Sequence, residues 1–275
     1  AVAERLAADT DREIKAVLCV HVDTASSVRN DIPAIRAAID SVDHPALLMV
    51  DCIASMGCEE FLMDAWGVDL ALAGCQTGLM VPPGIAFVWA GPRALAANAT
   101  ADLRVGYFDW QERLAATSQY QYYAGTPPMS HLFGLYEALR IVAEEGGWEH
   151  VWARHTALAD SVRAAVDAWA HPDGFEFNIV DPAHRANCVT TIRTNGIDPA
   201  EFRRRCEEEA GLVLGLGISG IPGFRLAHMG HLNPPMLLGA LGTIESVLHA
   251  MDAPMGRSGV AAAAASLGAV LSPGE

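Results

Sequence analysis

Lysine is almost missing from this sequence. Lys15 is the only one among 18 basic residues, so any lysine chemistry has to come from Lys15 or from nowhere. Compositional bias toward arginine explains most of the deficit. Positive charge is also scarce, with 18 basic against 33 acidic residues and a formal charge of -15. Such a surface repels phosphate backbones and argues against nucleic acid as a partner. Six cysteines are present without a CxxC pair, and most lie in apolar runs. There cysteine acts as a small hydrophobe, which argues against a zinc knuckle and a disulfide framework and for a reducing, cytoplasmic setting. No apolar run is long enough to cross a bilayer. The nearest, "GVAAAAASLGAVL", is short and alanine-rich, and no signal peptide is visible.

What is present is a chain of 275 residues, 51% hydrophobic, enough to bury a large core. It opens without methionine inside a helical pattern, "AVAERLAAD", which leads to the expectation of a further segment upstream. Short apolar runs alternate with helical patterns: "AVLCVHV" (16–22), "ALLMVDC" (46–52), "VDLALAG" (68–74) and "IAFVWAG" (85–91) read as strands. "RNDIPAIRAAIDSV" (29–42) is a helix opening on an Asn/Asp cap. Strands apolar in both registers predict a parallel or mixed sheet covered on both faces, with ligands at the strands' carboxyl ends. Residues 102–127 are irregular and aromatic, and a long helix follows over 129–146. The pattern then becomes helix 150–170, strands 175–180 and 187–193, helix 199–209, strands 211–214 and 223–228, and helix 234–250. This divides the chain into a larger α/β part (1–147), a smaller α+β domain (148–251) and a tail or loose terminal helix (252–275).

Several residues could carry chemistry, each with a plainer alternative. Asp51 ends an apolar strand, where a carboxylate is costly unless it caps the next turn or faces a cation. Thr24, Ser26 and Ser27 form a hydroxyl cluster that serves either loop or ligand. Gln76, Thr77 and Gly78 could bind an oxyanion at a helix start or a backbone nest. Arg225 suits either a surface salt bridge or a bidentate grip on a carboxylate. His228 and His231 lack a third ligand nearby and read as packing or hydrogen-bonding residues, so no metal is expected. "LGLGISG" (214–220) has no βαβ context and is not a dinucleotide loop.

Taken in order, "HVDTASS", "VDCIAS", "DAWGVDLALAGCQ" with "GLMVPPG", "YYAGTPP" and "FRLAHMGHLN" resemble the class V aminotransferases, over about residues 5 to 250. The similarity is to the alanine–glyoxylate and serine–glyoxylate type. It implies the type I fold of pyridoxal-phosphate enzymes, with an incomplete large domain, and transamination between alanine, serine or aspartate and glyoxylate or a similar 2-oxo acid. Homodimers with shared active sites are implied as well. Carried over, the resemblance pairs Asp51 with the ring nitrogen of pyridoxal 5'-phosphate and Thr24 with its phenolic oxygen. Ile53 lies on one ring face, Gln76 holds the phosphate, and Tyr123 and Thr126 reach it from a partner subunit. Arg225 holds the substrate carboxylate.

Two departures stand out. The family's amino-terminal third has no counterpart here, and its Schiff-base lysine position holds Thr77. Lys15 is at the wrong end of its strand to replace it. The alternative to an active transaminase is therefore a homologue that binds cofactor or a partner subunit without turnover.

Overall fold

The computed structural model describes residues 1–271, and none of its helices is long and apolar enough to cross a membrane. The chain forms two compact units. The first comprises residues 1–21, 31–53 and 61–141, and the second 22–30, 54–60 and 142–275. In place of one cut near residue 147, two short early segments belong to the second unit.

In the first unit, four strands run in the order β1 (Ala16–Val20), β4 (Leu47–Asp51), β5 (Leu70–Gly74), β6 (Ala86–Ala90). β1, β4 and β5 are parallel and β6 is antiparallel, so the sheet is mixed. Helix α1 (Val2–Ala7) precedes it, and α2 (Ile32–Asp40) is capped by Asp31, whose carboxylate accepts from Ala34 N at 2.9 Å. Leu48, Val50, Ala71 and Ala73 are buried on one face. The opposite face differs from the sequence expectation. Leu18 there is 80% exposed and Val88 52% exposed, so the described residues cover one face only. The apolar pattern records that a strand is built for burial, without recording which layer does it.

The remaining helices of this region are α3 (Pro92–Ala99), α4 (Trp110–Leu114), α5 (Gln119–Tyr123) and α6 (Met129–Glu144). Of these the sequence pattern gave only α6. The stretch expected to be irregular holds two five-residue helices, too short for a periodicity to register.

The second unit contains the hairpin β2 (Val22–Asp23) and β3 (Val28–Arg29). Its antiparallel sheet has the order β7 (Phe175–Phe177), β8 (Val189–Thr194), β10 (Gly223–Ala227), β9 (Gly215–Leu216). Helices α7 (Trp148–Trp169), α8 (Pro199–Glu208) and α9 (Pro234–Ala250) close over one face. Phe175, Phe202 and Phe224 meet there at centroid distances of 5.2–5.3 Å. Phe175 meets both of the others edge-on, and such aromatic contacts add to the burial of their area.

Residues 252–271, read from sequence as part of a tail or a loose terminal helix, carry a helix α10 (Gly259–Leu271) that is docked, with Ala263 and Leu267 buried. Residues 272–275 lie outside the described residues. The helix starts against Trp169, where a Cβ at Gly259 would come within 2.4 Å of the indole. Glu245 accepts from both Trp169 Nε1 (2.9 Å) and Val260 N (3.1 Å), fixing the helix start. A run of alanines shows no apolar stripe, so this contact leaves no local signature in the sequence.

Candidate functional site

In the first unit, Asp51 closes β4 with one oxygen accepting from Ile53 N at 2.8 Å. That bond is the turn cap anticipated as its plain reading. The other oxygen takes no protein donor among the described residues. Asp51 pairs in register with Leu72, so both side chains leave the same face of the sheet, and Gly74 follows two residues on. A Cβ at Gly74 would come 2.4 Å from Gln76 Oε1, which places the Gln76 amide over that same face. Strand spacing and rise put Asp51 and Gly74 about 8 Å apart, comparable with a pyridine ring and its phosphate arm. Glycine at 74 is what lets the amide fold back.

No helix starts after Gln76. The turn is held by Met80 N to Thr77 O (3.0 Å) and Val81 N to Cys75 O (3.0 Å). Among the described residues, the N–H groups of Gln76, Thr77 and Gly78 donate to no protein acceptor. Three successive free N–H groups beside a primary amide form a nest suited to an oxyanion. The Thr77 hydroxyl is engaged, donating to the carbonyl of Ile53. The chain's one lysine is elsewhere: Lys15 precedes β1 at the amino end of the parallel strands, and its Nζ donates to Arg12 O at 2.7 Å. Tyr123 ends α5 and Thr126 follows it, both exposed.

In the second unit, residues 24–27 form a turn whose four carbonyls are all taken. Thr24 O accepts from Arg225 Nη1 (3.0 Å), Ala25 O from Thr191 Oγ1 (2.8 Å), Ser26 O from Asn178 Nδ2 (2.9 Å) and Ser27 O from Ala186 N (3.2 Å). Asp23 shapes the same turn, accepting from Ala25 N (3.2 Å), Ser26 N (3.1 Å) and Ser26 Oγ (2.5 Å). The Ser26 hydroxyl bond in particular, helped by those N–H groups and the Arg225 charge, holds the Asp23 carboxyl below its usual range despite some burial. Ser26 and Ser27 are thus loop residues, with Ser27 Oγ accepting from Thr191 N at 3.0 Å. The Thr24 hydroxyl makes no such bond among the described residues.

Arg225 forms no salt bridge within 4.0 Å among the described residues, so its surface-pair reading fails. Its Nε donates to Leu216 O (2.5 Å) and its Nη1 to Thr24 O, leaving Nη2 without a protein acceptor. A Cβ at Gly215 would come 3.1 Å from that of Arg225, so the small residue admits the close approach of β9. Arg225 and Thr24 share a pocket of about 530 Å³ with otherwise apolar walls.

His228 is buried and bonded through both ring nitrogens, to Asn187 O (2.9 Å) and Thr190 Oγ1 (2.9 Å). Burial drives its pKa down to about 3. Sequence reading missed Asp23, Asn178, Thr191 and the buried Glu59. Asp followed by small residues is an Asx-turn signal and was there to be used at Asp23. Glu59 accepts from Asn187 N and from Asn187 Nδ2 (3.0 Å), tying residues 54–60 into the second unit across 128 positions of sequence. No local pattern encodes that.

The chain matches the family "Aminotransferase class-V" over residues 3–223. It is 40% identical to the serine–glyoxylate aminotransferase of Arabidopsis thaliana, over 95% of this chain and 65% of the relative. It is also 40% identical to the L-aspartate–glyoxylate aminotransferase of Paracoccus denitrificans, over 94% of this chain and 65% of that protein. The chain therefore spans about two thirds of the length of these relatives. Among solved structures, pyridoxamine–pyruvate aminotransferase of Mesorhizobium loti superposes with a TM-score of 0.86 at 28% identity, covering 98% of this chain and 68% of the other. The fold is that of the type I pyridoxal-phosphate transferases, and the chain belongs to the class V aminotransferases.

Proposed function

We propose that this protein binds pyridoxal 5'-phosphate and serves transamination between a small amino acid, such as serine, aspartate or alanine, and glyoxylate or a similar 2-oxo acid. Class V aminotransferases use this cofactor, and the named relatives support the substrate class. The observation that carries the reading is the shared face of Asp51 and the Gln76 amide, with the unbonded N–H groups of residues 76–78 beside it. When bound, the cofactor supplies an electron sink for the substrate's α-carbon. The free oxygen of Asp51 would hold the ring nitrogen protonated, and Ile53, tied to the same carboxylate, would lie against the ring. Gln76 and the nest would take the phosphate. Arg225 would hold the substrate carboxylate through Nη2, and Thr24 offers a free hydroxyl.

Thr77 decides how far this goes. We read it as standing at the family's lysine position, where a hydroxyl committed to a carbonyl offers neither an amine nor a base near neutral pH. The second reading, a homologue that binds cofactor with impaired turnover, is favoured by that bond and by the remote place of Lys15. Self-association through the aromatic surface of the first unit would bring Tyr123 and Thr126 to a neighbouring subunit. Tyr120, Tyr122, Phe133 and Tyr136, all exposed, support it.

The test is the visible spectrum of the purified chain with pyridoxal phosphate, before and after borohydride. Binding that dialysis reverses and borohydride fails to trap is expected. Thr77→Lys should give trappable cofactor and raise the transaminase rate by at least about 10²-fold. A Thr77→Lys protein that binds cofactor and gains no rate would refute the assignment of Thr77.

A further inference from the structure

We infer that one of the two substrates that use the Arg225 pocket in turn is a monocarboxylate carrying an apolar tail of several carbons. This rests on the reading of Arg225 as the carboxylate clamp, goes beyond the small acids named above, and among them weighs against aspartate. The pocket holds about 530 Å³ and is walled by Leu212, Val213, Met229, Leu232, Met236 and Leu237, among others. Among the residues lining it, Arg225 is the single ionisable side chain and Thr24 the single hydroxyl. Val213 is 72% and Met236 54% exposed, so the rim offers apolar surface that a ligand could cover.

Glyoxylate has no side chain and would leave these walls in water. A tail bearing a second carboxylate would bring a charge to a wall with no counter-charge, at a desolvation cost. An apolar tail covers the walls and gains from doing so. The two methionines, unbranched and polarizable, can follow tails of different shape. The guanidinium would meanwhile fix the other end, since Nε and Nη1 are held by the Leu216 and Thr24 carbonyls. Polarity at one end and apolar surface along the rest define an amphiphilic acid.

The experiment titrates the chain by calorimetry with glyoxylate, pyruvate, 2-oxobutyrate, 2-oxopentanoate and 2-oxohexanoate, with 2-oxoglutarate as the charged-tail control. Affinity should rise about three- to fourfold per methylene from pyruvate onward, and 2-oxoglutarate should bind more weakly than 2-oxopentanoate. Arg225→Gln should lose every acid alike. Met236→Gln and Leu212→Asn, checked for folding by circular dichroism, should flatten the dependence on chain length. Affinity flat along the series, or highest for glyoxylate or 2-oxoglutarate, with binding lost in Arg225→Gln, would overturn the apolar-tail inference and leave the clamp standing. Acids that fail to bind, or bind equally to Arg225→Gln, would remove the clamp and the inference with it.

Discussion

The two four-stranded sheets of this protein are built from similarly apolar strands and end in different states. The antiparallel sheet of the second unit buries Phe175, Ile192, Phe224 and Leu226 on one face under α7, α8, α9 and α10, and turns Arg225 to the other. The mixed sheet of the first unit buries Val50 and Ala73 on one face and leaves Leu18 and Val88 in solvent on the other. Asp51 and Gln76 belong to the open face. A sealed face stores stability, whereas a face carrying polar groups at its carboxyl edge is where a ligand can complete the burial. Hydrophobic pattern alone separates neither case, because both sheets are written in the same apolar alphabet.

The contrast can be broken by substitution. Phe224→Ala should cost about 3–5 kcal/mol, measured by chemical denaturation, because it opens a cavity between Phe175 and Phe202. Costs below about 1 kcal/mol would mean that the second core is looser than its packing implies.

A pH test is intermediate in size. His228 has a folded pKa near 3, well below its ordinary value of 6.5, because its buried site disfavours the cation. Below pH 6.5 the unfolded chain therefore binds more protons than the folded one. Stability from this group is fully present above pH 6.5 and is lost as pH falls toward 3, by up to about 1 kcal/mol per pH unit. Burial lowers the pKa of His155 as well, with the same sign. In His228→Gln the slope of stability between pH 6 and pH 4 should be shallower, read from denaturation midpoints at constant m-value. An unchanged slope would mean that His228 takes up its proton in the folded state.

The smallest expected effect lies on the open face. Leu18→Gln should change stability by no more than about 0.5 kcal/mol, since the side chain is already in water. A cost approaching that of Phe224→Ala would show that the face is covered in solution, and the difference between the two sheets would disappear.

The individual strands of the first sheet were legible as apolar runs because each is short, uninterrupted and bounded by turn residues. The helix over Ile32–Asp40 was legible through its Asp31 cap, where a side chain three residues from its acceptor leaves a local signature. The docking of helix α10 was not, because its instructions are Gly259 pressed on Trp169 and Glu245 reaching across from α9. The candidate site divides in the same way. Asp51, Thr24, Gln76 and Arg225 stood out as polar groups in apolar or loop surroundings. Asn178 and Thr191, which hold the 24–27 turn, lie more than 150 positions from it and look ordinary in sequence.

The amino-acid sequence by itself determined the strands of the first sheet, the capped helix α2 and the longer helices α6 to α9, since periodicity and caps act over a few residues. It also determined that Lys15 is the single lysine and that Thr77, not a lysine, follows Gln76, because composition and residue order settle that without geometry. Tertiary structure alone decided that Asp51 and the Gln76 amide share a face, that Arg225 spends two of its donors on backbone carbonyls, and which face of each sheet is buried. These outcomes depend on register and on contacts between residues far apart in the chain, and neither is written in any local stretch of it.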